Sequence, residues 1–280
     1  MWMQILKAAG LPIFGAAFPA SWKETIEAAN SGGFYESPLR RGIYYATNPH
    51  PKTNAWIPPG PSTRNFAVKV FIPGLVRSDL SYLTRVVGTM RHWREYGPSR
   101  ERLLDMEHSA LIEQRDPDRV MPARMPAVLE WWLENFMLIR DVATRKYALN
   151  LTSYDAVLEA PTRIIPRVLN GLGIPDLDVD AAISVVTQSM RTQTKEDMPA
   201  SDHPMADTFD ALYEHVHSEK PLNEAFLQEL NDTHTALVPE IEAAQREVFI
   251  KRTKVAKRLK PPTHPDLVDT LVHPEDLRDE

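Results

Sequence analysis

Cysteine is absent from the 280 residues, which excludes disulfides, thiolate metal sites and cysteine nucleophiles. No apolar run approaches the ~20 residues that a bilayer requires. The apolar N-terminus does not read as an export signal, because Lys7 is its only early cation and Gln4 and Pro12 interrupt it. A cytoplasmic location is therefore expected, and the Asn-x-Thr sequons at Asn150 and Asn231 read as chance matches. Positive charge is not in excess: the net charge is −6, against a general binder of nucleic acid or anionic membrane. A small anionic ligand needs only a few local cations and stays open. There is no His-Glu-x-x-His and no Gly-x-Ser-x-Gly, so zinc-peptidase and serine-hydrolase chemistry are disfavoured. His215 and His217 are two apart on an expected helix and point to different faces, a poor pair for one metal ion. Glycine is scarce, 11 against 24 prolines, which suggests rigid loops and many helix starts.

What is present is ordinary for a folded domain, 43% hydrophobic and 25% charged residues. Residues 1–9 read as a helix closed by Gly10, and Leu11–Gly15 as a short strand. Ser21-Trp-Lys-Glu24 is a capping box that starts a helix, and 46–65 is a long loop. The β-branched runs 67–72, 85–90 and 146–151 are expected to form adjacent parallel strands. Helices are expected over 125–144, 160–172 and 181–190, and the helix after Met90 has a break at Gly97-Pro98. This alternation indicates an α/β fold, a mostly parallel sheet flanked by helices. Beyond about 204 the pattern is purely helical. The expected organisation is an α/β domain over 1–200, a helical extension over 201–258 and a Pro- and charge-rich tail over 259–280.

The segment from Arg85 to Ser99 carries the chemistry. A buried strand ends at Met90 and presents Arg91 at its carboxyl end, where open α/β sheets bind ligands. A helix follows and offers Ser99 eight residues on. A guanidinium there can grip a phosphate through two parallel hydrogen bonds, with the hydroxyl completing the shell.

This segment resembles the sulfotransferase family, whose donor is 3′-phosphoadenosine 5′-phosphosulfate and whose product is adenosine 3′,5′-bisphosphate. Four other stretches add to the resemblance. Lys69-Val-Phe71-Ile-Pro73 is similar to the family's Lys-Thr-His-Leu-Pro strand end. Leu149 to Asp155, followed by Ala160-Pro161-Thr, is similar to its strand–Tyr–acidic–helix segment. Gly171-Leu-Gly173 is similar to the Leu-Gly that closes the next helix, and Gly33-Phe34-Tyr35-Glu36 to the Gly-Tyr-Tyr-Glu of bacterial members. The resemblance covers roughly residues 1–190. It implies a P-loop-like fold, Arg91 and Ser99 on the donor's 3′-phosphate, Tyr154 against the adenine, and Lys69 as the catalytic residue near the transferred group. It also implies a small-molecule or carbohydrate acceptor and leaves a homodimer open.

Two departures bear on activity. Met1 to Leu6 aligns with the family's first helix, so its opening strand and 5′-phosphate loop would lie before Met1. The GxxxxG from Gly10 to Gly15 is followed by Ala16-Ala17 in place of Lys and Ser/Thr and is a decoy. Phe71 stands where the family's common histidine base stands, and Phe cannot take a proton. His92 and His108 are candidate bases, each with a packing role as the plainer alternative. Trp131, Trp132 and Phe136 read as core or as an acceptor-pocket wall. The basic end of 243–259 reads as a solvated helix terminus, or else as a partner-docking or phosphate-contacting helix. Two functions follow: sulfuryl transfer to a hydroxyl or amine, or an inactive binding or structural protein on the same fold.

Overall fold

The computed structural model describes residues 1–18, 32–43, 65–114, 123–187 and 203–258. Within them the chain is mixed α/β, with two small parallel sheets among helices. Helix α1 (Trp2–Ala8) ends as expected before Gly10, whose φ of 94° turns the chain. Strand β1 (Ile13–Phe14) pairs in parallel with β2 (Ala67–Val68). Strand β3 (Arg85–Met90) pairs in parallel with β4 (Ala148–Ser153), with Arg85 opposite Ala148 and Met90 opposite Ser153.

The expectation of three neighbouring strands is corrected in one member. Residues 85–90 and 148–153 are parallel neighbours, but the 67–72 run is a strand only over Ala67–Val68 and pairs with β1. The cause lies in the residues that follow. Phe71 donates its N–H to the Arg40 carbonyl at 2.8 Å and caps α2 (Ile72–Leu75). Pro73 has no N–H for a ladder and suits the first turn of a helix. Gly74 permits the close approach this needs, since a Cβ there would lie 2.3 Å from the Arg41 carbonyl carbon.

Helix α3 (Trp93–Gln114) runs through Pro98 without the expected break, since a proline in the second turn forfeits one hydrogen bond. Helix α4 (Ala127–Arg145) buries Leu129, Trp132, Phe136 and Ile139 along one face and ends at Lys146 in the left-handed region. Helices α5 (Tyr154–Glu159) and α6 (Pro161–Leu172) follow β4. Helix α7 (Val179–Ser184) starts earlier than expected because Asp178 accepts the Ala181 N–H at 2.8 Å. Helices α8 (Ala206–His217) and α9 (Glu224–Arg258) complete the described chain. The helix expected from Ser21, most of the loop expected over 46–65 and the tail after 258 lie outside the described residues.

Two apolar clusters hold the elements together. One joins α1, β2 and α5 to α7 through Trp2, Ile5, Val157, Ile164 and Ala182. The other packs α8 and α9 on α3 and α4 through Trp93, Trp131, Trp132, Phe209 and Leu230. Trp131 and Trp132 thus belong to the core, each indole burying on the order of 200 Å². No helix among the described residues is long and apolar enough to cross a membrane.

Candidate functional site

Strands β3 and β4 end level with one another, so the residues that follow them arrive at one place. Arg91 follows β3 and Tyr154 follows β4. The Arg91 guanidinium lies 4.5 Å from the centroid of the Tyr154 ring, a cation–π distance. Its Nη1 donates to Ser99 Oγ at 2.6 Å. Arg91, Ser99 and Tyr154, singled out from sequence, are therefore brought together. The backbone beneath them is held as well, since Trp131 Nε1 donates to the Arg91 carbonyl at 2.8 Å. The N-terminal end of α3 begins two residues after Arg91 and adds the positive pole of its dipole. A cation, a hydroxyl and an aromatic face in this arrangement suit a phosphate attached to a flat ring.

Lys69 stands apart from that group and follows β2. Its Nζ lies 3.1 Å from Glu36 Oε1, over the rings of Phe34 at 5.8 Å and Phe71 at 5.3 Å. The Glu36 carboxylate is 8% exposed and also meets Arg40 Nε at 3.4 Å. Local backbone geometry aims it there. Ala16 and Glu36 form an antiparallel bridge, and Phe34 donates its N–H to the Ala17 carbonyl. Gly15, at φ 126°, allows this approach, because a Cβ would sit 2.9 Å from the Tyr35 carbonyl oxygen.

Neither histidine candidate reads as a base. His92 Nδ1 accepts the Arg94 N–H at 3.3 Å, and its Nε2 lies 3.3 Å from Asp210 Oδ1. Both nitrogens are thereby committed to capping α3 and tying it to α8. His108 lies roughly 14 Å along α3 from Ser99 at ~1.5 Å per residue. A Ser–His–acid series does occur: Ser153 Oγ is 2.9 Å from His217 Nδ1, and His217 Nε2 is 3.8 Å from Glu159 Oε2. Ser153 is fully buried and its oxygen accepts the Ala156 N–H at 2.9 Å. It is a helix cap and not an accessible nucleophile. Asp155 is likewise structural, accepting the Tyr213 hydroxyl at 2.5 Å. His215 and His217 face different neighbours, Phe226 and Ser153. Among the described residues no group of three His, Asp or Glu could hold a metal ion.

Glu36 and the Trp131 N–H are the site residues that sequence reasoning did not single out. Glu36 lies within a quoted motif, but its pairing with Lys69 crosses 33 residues and has no local signal. Comparison with family models, with curated proteins and with solved structures found no match to the chain.

Proposed function

We propose that the chain is a sulfotransferase-like protein of P-loop-like organisation, moving a sulfuryl group from 3′-phosphoadenosine 5′-phosphosulfate to a hydroxyl or amine. The observation that carries this reading is the convergence of Arg91, Ser99 and Tyr154 at the carboxyl ends of two parallel strands. In it, Arg91 and Ser99 hold the 3′-phosphate and Tyr154 lies against the adenine. Lys69 neutralises charge at the transferred group, and the acceptor is a small molecule or carbohydrate. The acceptor atom bonds to sulfur as the bond from sulfur to the 5′-phosphate oxygen breaks. That electron pair leaves with adenosine 3′,5′-bisphosphate, and the acceptor's proton passes to a base. Phe71 cannot serve, so the role falls to Glu36, the carboxylate paired with Lys69. In-line transfer of this kind depends mainly on positioning and charge stabilisation.

One observation favours a second reading, a catalytically inactive binding protein of the same fold. Phe71 is 43% exposed at the position where the resembling family carries its base. One experiment separates the two. Adenosine 3′,5′-bisphosphate is titrated into the chain and into Arg91→Ala by calorimetry, and transfer from labelled donor is assayed over phenols, alcohols, amines and sugars. Arg91-dependent binding with transfer supports the enzyme, and binding without transfer supports the inactive protein. No binding overturns both.

A further inference from the structure

Strand β4 pairs with β3 along one edge, and a cavity of about 380 Å³ opens against it, lined by none of Arg91, Ser99 and Tyr154. That volume is within the ~300–1,000 Å³ usual for small-molecule sites. Its floor is apolar, formed by Ile139 and Val142 of α4, Leu149 and Leu151 of β4, Val216 of α8 and Leu227 of α9. Its polar lining residues are unevenly committed. Arg167 is held by Glu219 at 3.1 Å, and Glu219 is also bound by Arg163 at 2.6 Å. His215 is stacked on Phe226 with its Nδ1 2.9 Å from the Ala211 carbonyl oxygen. Since a carbonyl can only accept, Nδ1 is the donor in this contact.

Asn150 and Lys220 differ from these. Both line the cavity, and among the described residues no hydrogen bond or ion pair engages the Asn150 amide or the Lys220 ammonium. Asn150 is rigidly placed: its backbone lies in the ladder opposite Val87, and its side chain packs on Gly171, where a Cβ would come within 3.0 Å of Oδ1. Half-buried on the cavity lining, the Asn150 amide is available to a ligand. With Glu219 engaged by two arginines, Lys220 leaves the lining with surplus positive charge. The complement is an anion small enough to be met by one amide and one ammonium, carried on an apolar body.

We infer that this cavity binds a small organic monocarboxylate with an apolar body, its carboxylate between Asn150 and Lys220. The proposal does not depend on the sulfotransferase reading. Its test uses decanoate as the probe, titrated calorimetrically into the full chain, with decanol as the uncharged control. Two variants accompany it. Ala143→Trp, at an exposed helix position, fills the mouth of the cavity. Lys220→Glu, also exposed, reverses the charge and keeps the test available should the tryptophan variant fold poorly. The expected result is one decanoate per chain, decanol at least about tenfold weaker, a loss of about tenfold or more in Lys220→Glu, and no binding in folded Ala143→Trp. Three results overturn the proposal: no decanoate binding at about 1 mM, equal binding of decanol, or unchanged affinity in Lys220→Glu.

Discussion

Trp131, a core residue of α4, donates its indole N–H to the backbone carbonyl of Arg91 at 2.8 Å. The aromatic core and the guanidinium are therefore mechanically linked, since the chain that carries Arg91 cannot shift without breaking this part-buried hydrogen bond. Trp131→Phe keeps most of the ring packing and removes the donor. We expect a loss of about 1–2 kcal/mol in urea unfolding and a several-fold weaker affinity for adenosine 3′,5′-bisphosphate. A stability loss with unchanged affinity would show that the bond does not position Arg91.

Arg91→Ala removes both charge-assisted hydrogen bonding and the stacking on Tyr154. At about 1.5–3 kcal/mol it should weaken adenosine 3′,5′-bisphosphate by about 10- to 100-fold. Arg91→Lys should recover little of this, because an ammonium offers neither the planar fork nor the flat face. Ser99→Ala, losing one hydroxyl, should cost about tenfold or less. Calorimetry on the three variants checks the order, and a lysine variant as tight as the parent would refute the bidentate geometry.

The α3–α4 contact contains a pH-dependent group. Burial, then neighbouring Glu130, push the Glu134 carboxyl up to about 7, against the pull of Arg100. The folded chain holds that proton more tightly than the unfolded one. Its stabilising contribution is thus full below about 4.5, the ordinary value, and is lost as the pH rises toward 7. Glu134→Gln removes the slope. The variant should gain on the parent between pH 5 and pH 8 by on the order of 2 kcal/mol. Denaturant midpoints at the two pH values provide the measurement, and parallel profiles would sink the assignment.

Two glycines make a matched comparison of space against backbone angle. At Gly10 the φ is 94° but a Cβ would meet nothing within 4 Å, whereas at Gly74 it would lie 2.3 Å from Arg41 backbone. Gly10→Ala should cost about 1 kcal/mol through the strained angle alone. Gly74→Ala must displace backbone and should cost more than about 2 kcal/mol. Thermal unfolding of both variants tests the ranking, and the reverse order would contradict the packing of α2.

The Arg91–Ser99 relationship was legible in the sequence because both residues lie on one strand–helix unit, where spacing alone sets the distance. Tyr154 was indicated only by the sulfotransferase resemblance, and it meets them because its strand is parallel to the first. The face of α4 was legible for a similar reason, since its apolar residues recur at helical intervals. Residue 71 shows where such reading fails. Its run looked like a full strand, but Phe71 gives its N–H to Arg40, a partner 31 positions earlier (71 − 40), and the strand stops. The commitment of His92 to Asp210 and the pairing of Lys69 with Glu36 are likewise contacts between distant segments. Side-chain periodicity has no access to them.

The parallel pairing of β3 with β4 also has a consequence in time. Before Arg85 can meet Ala148, about sixty residues of chain must be closed into a loop, an entropic cost that precedes any ladder bond. Such non-local parallel contacts form slowly compared with helices, which need only neighbouring residues. Arg91 and Tyr154 come from opposite sides of that closure. During refolding the far-ultraviolet helical signal should therefore recover ahead of the proposed Arg91-dependent binding of adenosine 3′,5′-bisphosphate, and the interval between them would time the joining of the two strands.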